Sequence, residues 1–182
     1  MMELINIIEL DDERLRWIVP GCQSRCVNPA IQRLLSDQGS LTQQLTDVSN
    51  GRFRVQTVEL VWRNLLGDDL RKLFGPVAPS HKFWSRKTVL LCEGAPAVLA
   101  HSLMPEHAEQ SALGQVLALG EKPLGEYLFS QTGLKRGAFQ FAQSKQGFWG
   151  RRSIFYLDSK PIMVAEFFLP GETLDKLLRR LR

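Results

Sequence analysis

A chain of 182 residues, 44% hydrophobic and 9% aromatic, is sized for one globular domain that can enclose a small ligand, and it leaves little room for two. Its net charge of +4 comes largely from the tail 176–182 and from Arg151 and Arg152, and a basic surface of this kind favours anions without selecting nucleic acid. No apolar run approaches the roughly 20 residues that span a bilayer, and residues 1–6 lack the basic start of a secretory signal, so the reading is of a cytoplasmic monomer without stable membrane insertion.

Residues 11–19 read as a first helix, ended by Pro20-Gly21. The next start is sharper: Asn28 is a cap, Pro29 suits the first turn, and Ile31, Leu34 and Leu35 supply a buried stripe. Gly39 breaks the chain and Ser40 caps a short helix over 41–45, which gives a helix-turn-helix hairpin across 28–48. Strands are predicted at 53–62 and 83–92, and Glu93-Gly94 turns the second of these into 97–103 as an antiparallel hairpin. Residues 111–119 are helical again and end at Gly120, and Pro123 opens 124–129, a second helix-turn-helix hairpin. Strands follow at 138–142, at 153–157 and, past a turn at 158–160, at 161–170. The tail 171–182 carries a basic amphipathic helix over 174–181, whose leucines dock on the body in preference to a membrane. The order is that of a single α+β domain over 1–182, with antiparallel strands interrupted by two helical hairpins.

The strand at 161–170 holds the most informative residue. Alternation puts Glu166 on one face with Ile162, Val164 and Phe168, and Met163, Ala165, Phe167 and Leu169 on the other. Both faces are apolar, so the carboxylate must keep a proton or meet a buried cation; ionising it alone costs several kcal/mol. Arg86 is the candidate partner. It shares a strand face with Trp84, Thr88, Leu90 and Cys92, and its charged fork suits a ligand carboxylate. A plain salt bridge to Glu166, or an outward-facing arginine, fits the spacing as well.

The helix starts near Leu41 and Leu124 add unpaired backbone N–H groups and partial positive charge, while the leucines themselves exclude water or simply pack the core. Trp149-Gly150-Arg151-Arg152-Ser153 sets two charges at a strand entrance, to steer an anion, to rim a pocket, or as a solvated strand start. Cys22 and Cys26 have no second ligand pair, Cys92 stands alone, and His81, His101 and His107 lack ligand spacing. These are read as ordinary thiols and structural histidines, with no metal. Nucleophile-elbow, P-loop and dinucleotide glycine patterns do not occur.

Four segments, in this order, resemble the chorismate pyruvate-lyase family: FWSRKTVLLC at 83–92, LGEKPLGEYLF at 119–129, WGRRS at 149–153 and KPIMVAEFFLP at 160–170. Together they extend over most of 28–170. The resemblance implies a six-stranded antiparallel sheet with two helix-turn-helix flaps over a buried ligand pocket. It also implies conversion of chorismate to 4-hydroxybenzoate and pyruvate, the first committed step of ubiquinone biosynthesis, without metal or organic cofactor. It carries the family's ligand-binding positions onto Arg86, Leu124 and Glu166, and onto Leu41 in the less similar N-terminal third, with Arg86 and Glu166 expected to act in catalysis. The chain departs from the family at Ala97, where tryptophan is common, and at His101, where arginine is frequent; 171–182 lies outside the match.

Two other readings compete. One is a non-enzymatic effector-binding domain, since sensor domains of some bacterial transcription regulators are similar in fold; those regulators need an attached DNA-binding domain, for which 1–27 is too short. The other is DNA recognition by the helical hairpins. Leu124-Gly125-Glu126-Tyr127 offers few groups for base edges or phosphates, so no nucleic-acid partner is expected.

Overall fold

The computed structural model describes residues 15–19, 28–65, 68–78 and 80–181. Among them seven strands form one antiparallel sheet. Its order is β1 (Phe53–Asn64), β2 (Lys82–Cys92), β3 (Ala95–Pro105), β7 (Lys160–Phe168), β6 (Trp149–Leu157) and β4 (Lys135–Arg136), and β5 (Gln140–Gln143) also pairs with β6. Positive φ at Glu93 (54°) and Gly94 (84°), and at Asp158 (50°) and Ser159 (62°), gives two-residue turns with the twist that antiparallel strands favour. They make β2–β3 and β6–β7 tight hairpins, joined through the β3–β7 pairing.

The resemblance implied six strands, and the additional one has a local cause. β4 matches only Lys135 and Arg136 to Tyr156 and Phe155. Gly137 still donates to the Ile154 carbonyl (2.8 Å) before the chain leaves this edge and rejoins it as β5. The strand expected at 138–142 therefore begins at Gln140, and the one expected at 153–157 extends back to Trp149.

Both helical hairpins seat on one face of the sheet. In the first, α1 (Pro29–Ser36) is capped by Asn28, whose Oδ1 accepts from Ala30 N at 2.9 Å, and α2 (Leu41–Val48) by Ser40, whose Oγ accepts from Gln43 N at 3.4 Å. Leu34, Leu35, Leu41 and Leu45 bury against Val55, Leu90, Val98 and Phe168. A short α3 (Asp68–Lys72) lies between β1 and β2. The second hairpin joins a 3₁₀ segment, Ala112–Ala118, to α4 (Leu124–Phe129). Leu113, Val116, Leu124 and Leu128 pack on Met104, Phe155 and Ile162. Its first arm takes the tighter 3₁₀ form, and only glycine fits at 114, where a Cβ would lie 2.0 Å from the Glu109 carbonyl oxygen.

The C-terminal α5 (Glu172–Arg180) packs across the first hairpin, with Leu177 buried in the same cluster as Leu45 and Cys92. The docked reading of this helix describes it. The helix expected at 11–19 is corrected where it can be seen. Residues 15–19 are not helical, and Ile18 bridges Phe141 through two backbone hydrogen bonds of 2.8 Å. Trp17 meanwhile packs edge-on to Phe167. Residues 11–14, with Cys22 and Cys26, lie outside the described residues.

Candidate active site

Two adjacent rows of the sheet floor face the hairpins. One runs Thr57, Thr88, Ala100, Glu166, Arg151 and the other Leu60, Arg86, Ser102, Val164, Ser153; rows two residues apart share a face. Between floor and hairpins lies a cavity with about 540 Å³ of unfilled space, a figure that includes the open solvent at its mouth. Arg86, Glu166, Leu41 and Leu124, the four residues singled out from sequence, all line it. Val55, Leu90, Ala100 and Val164 supply an apolar floor, and Pro123, Leu128 and Phe129 part of the roof.

The hairpins act as two flaps whose helix starts touch. A Cβ on Gly125 would lie 2.7 Å from Thr42 Oγ1 and 3.8 Å from Ser40 Oγ, so the lack of a side chain at Gly125 is what permits the approach. No side chain caps the start of α4.

Three arginines fasten the flaps to the sheet. Arg86 Nη2 donates to the Gly120 and Lys122 carbonyls of the second flap (2.9 and 2.8 Å), where Thr57 Oγ1 also donates to Gly120 O (2.8 Å). Arg151 Nη1 donates to the Leu34 and Asp37 carbonyls at the end of α1 (3.1 and 2.8 Å), and Arg136 Nη1 to the Gln38 carbonyl (3.2 Å). Each keeps one buried N–H without a hydrogen-bond partner among the described residues: Arg86 Nε, Arg136 Nε and Arg151 Nη2. Buried donors left unsatisfied are costly, and two of these belong to residues that line the cavity, Arg86 and Arg136, which suits it to an anion. Burial lowers the pKa of Arg86 from its ordinary value.

The sequence expectation that Arg86 neutralises Glu166 is corrected. Glu166 Oε2 accepts from Arg151 Nε at 2.7 Å. Register explains the choice: Arg151 is directly opposite Glu166 on β6, whereas Arg86 lies two strands away on β2 and one row over. Nor are the paired arginines a solvated strand start. Arg151 is 1% exposed and Arg152 9%, on opposite faces. Arg152 lies on the far side of the sheet, its guanidinium 4.3 Å from the Trp17 ring centre and its Nε donating to Gln140 Oε1 (2.7 Å). Gly150 between Trp149 and Arg151 is dictated by packing, since a Cβ there would fall 2.4 Å from the Phe167 ring.

His101 occupies that far side too, 2.8 Å from Ser85 Oγ through Nε2. Burial, with Lys87 and Arg63 nearby, pulls its pKa down to about 3, so it is neutral at pH 7 and separated from the cavity by the sheet. Arg136 is the cavity residue that sequence reading missed. It sits in a two-residue strand with no alternation to read, and the rings around it, Phe129, Phe139 and Phe155, converge only in the fold.

A family model described as chorismate lyase matches residues 13–177. The chain belongs to the chorismate lyase family. It is 33% identical over 159 residues to a probable chorismate pyruvate-lyase of Pseudomonas aeruginosa (strain UCBPP-PA14), covering 82% of this chain and 88% of that protein. It is also 33% identical over 170 residues to a probable chorismate pyruvate-lyase of Halorhodospira halophila, covering 84% and 86%. A chorismate pyruvate-lyase of Cronobacter sakazakii is 34% identical over 122 residues, covering 65% of this chain and 70% of that protein. Among solved structures, PhnF from Mycobacterium smegmatis superposes with a TM-score of 0.52 at 13% identity, covering 72% of this chain and 64% of that one; at that identity the likeness concerns the fold alone.

Proposed function

We propose that this chain is a chorismate pyruvate-lyase, converting chorismate to 4-hydroxybenzoate and pyruvate and so supplying the aromatic ring of ubiquinone. The observation that carries the reading is Arg86: a guanidinium 3% exposed, tied by Nη2 to two carbonyls of a flap, lining the cavity with its Nε unpartnered. Such a group offers a ring carboxylate a charge-assisted hydrogen bond in a place sheltered from water. The backbone N–H groups at the starts of α2 and α4, near Leu41 and Leu124, add to this end of the site.

Glu166 serves the other end. Held by Arg151 (2.7 Å), it presents its remaining acceptor capacity to the ring hydroxyl of the substrate. The reaction breaks the ring C–O ether bond, moves the hydrogen of the hydroxyl-bearing ring carbon to the methylene of the enolpyruvyl arm, and releases that arm as pyruvate while the ring becomes aromatic. Atoms and electrons balance without an oxidant or reductant. What the protein contributes is confinement of the arm against that ring hydrogen, with fixed charges at both ends. Arg86 and Glu166 are the residues assigned to catalysis. Closed flaps imply slow release of the aromatic product.

The direct test incubates purified protein with chorismate and follows both products. Equal amounts of 4-hydroxybenzoate and pyruvate support the reading. Tight binding of chorismate or 4-hydroxybenzoate with no turnover would replace it with an effector-binding domain.

A further inference from the structure

We propose that Arg136 anchors a second carboxylate of the substrate, the one on the enolpyruvyl arm, and thereby sets the cavity's preference for a ring bearing two acids over a ring bearing one. The inference rests on the lyase reading above and names the group that recognises the arm.

Arg136 lines the cavity from β4, at the margin opposite Arg86. Its guanidinium carbon lies 4.3 Å from the centre of the Phe155 ring, 4.9 Å from Phe139 and 5.2 Å from Phe129. Three rings pack around the fork and hold it in place. Nη1 is spent on the Gln38 carbonyl (3.2 Å), while Nε is buried and has no hydrogen-bond partner among the described residues. Burial, with Arg151 adding repulsion, pulls its pKa down to about 10, so the charge persists at neutral pH.

The charges of the cavity then add up in one way. Arg151 cancels Glu166; among the described residues neither Arg86 nor Arg136 makes an ion pair with a carboxylate. That leaves Arg86 and Arg136 as guanidiniums with no carboxylate in contact, the Glu166 and Asp37 carboxylates acting on Arg136 only beyond salt-bridge distance. The two arginines stand on β2 and β4, separated by the steps β2-β3-β7-β6-β4, or ~19 Å of backbone at about 4.8 Å per step, and from these two sides both line the one cavity. A ring with one carboxylate satisfies one arginine and leaves the other with no carboxylate in contact. A ring with two satisfies both. Once the arm has left as pyruvate it takes its carboxylate with it, so the aromatic product keeps only the Arg86 end.

The test titrates two unreactive ligands calorimetrically into the wild-type protein, Arg136→Met and Arg136→Lys. One is 4-hydroxybenzoate; the other is 3-(carboxymethoxy)benzoate, whose two acids are spaced as in chorismate. Arg136→Met is expected to weaken the dicarboxylate by roughly 10–100-fold and 4-hydroxybenzoate by about threefold or less. Arg136→Lys restores the charge without the fork, so its loss falls between wild type and Arg136→Met; it also carries the test if the methionine variant does not fold. An equal loss for both ligands, dicarboxylate affinity unchanged in the variants, or no binding of either ligand to wild type overturns the proposal. Chorismate turnover by the wild-type protein is measured alongside. Failure there removes the lyase reading, while the ratio of the two affinities decides the role of Arg136 independently.

Discussion

Replacing Arg151 with methionine tests how the site is held together. The guanidinium is 1% exposed and makes three hydrogen bonds, to Glu166 Oε2 and to the Leu34 and Asp37 carbonyls. Methionine fills similar space and donates nothing. It would leave a carboxylate that is only 15% exposed without its cation, remove the guanidinium donor from the Asp37 carbonyl, and leave the Leu34 carbonyl with the long Asp37 N–H bond of 3.4 Å. Breaking a buried pair from one side costs about 3–5 kcal/mol, and the residual solvent access of Glu166 places this case near the low end, about 3 kcal/mol. In a chain of this size each kcal/mol lowers Tm by about 2–4 °C, so scanning calorimetry should show a fall of about 6–12 °C. Adding Glu166→Gln to Arg151→Met removes the stranded charge and should recover part of the loss. A single variant within about 2 °C of wild type, or a double variant no more stable than the single, would refute the reasoning that this pair fixes the first flap to the floor.

Three further expectations follow from the packing and charge described above. Gly125→Ala drives a Cβ to within 2.7 Å of Thr42 Oγ1, so it should lower kcat/KM by roughly tenfold through imperfect flap closure, and Thr42→Ala in the same chain should restore most of it; no rescue would separate the effect from that contact. Gly150→Ala places a Cβ 2.4 Å from the Phe167 ring and should cost about 1–3 kcal/mol by overpacking, relieved by Phe167→Leu and visible in denaturant midpoints. For His101 the folded pKa of about 3 lies below the ordinary 6.5, so between these values the unfolded chain takes up a proton that the fold refuses. Stability contributed by neutral His101 is present above about pH 6.5 and is lost as pH falls towards 3, at up to ~1.4 kcal/mol per pH unit. His101→Gln should flatten that slope, and identical acid profiles for the two proteins would contradict it.

Much of the architecture was legible because it rests on local rules. Asn28-Pro29, Ser40 and Pro123 announce helix starts, and Glu93-Gly94 and the turn at 158–160 announce hairpins; the observed elements begin or turn at these residues. Strand parity put Arg86 with Thr88 and Leu90, and Glu166 with Val164, on faces that line the cavity. What parity cannot provide is which strand lies beside which. The partner of Glu166 was sought on β2, yet the order β3-β7-β6 sets Arg151 directly across from it. Arg136 was invisible for the same reason, since its position depends on two residues of edge pairing and on three phenylalanines, Phe129, Phe139 and Phe155, that converge only in the fold. Residues 15–19 have helical composition, but the Ile18–Phe141 bridge overrides it, a tertiary contact no local pattern encodes.

The central claim is that the cavity under the flaps performs the lyase reaction with Arg86 holding the ring carboxylate. Rapid-quench single turnover with enzyme in excess over chorismate tests it most directly, read simultaneously for 4-hydroxybenzoate and pyruvate. Wild type should release the two in equal amounts within one turnover, and Arg86→Ala, still folded by circular dichroism, should form both at least ~100-fold more slowly. Wild-type protein that binds chorismate yet forms neither product, or an Arg86→Ala variant as fast as wild type, would contradict the account.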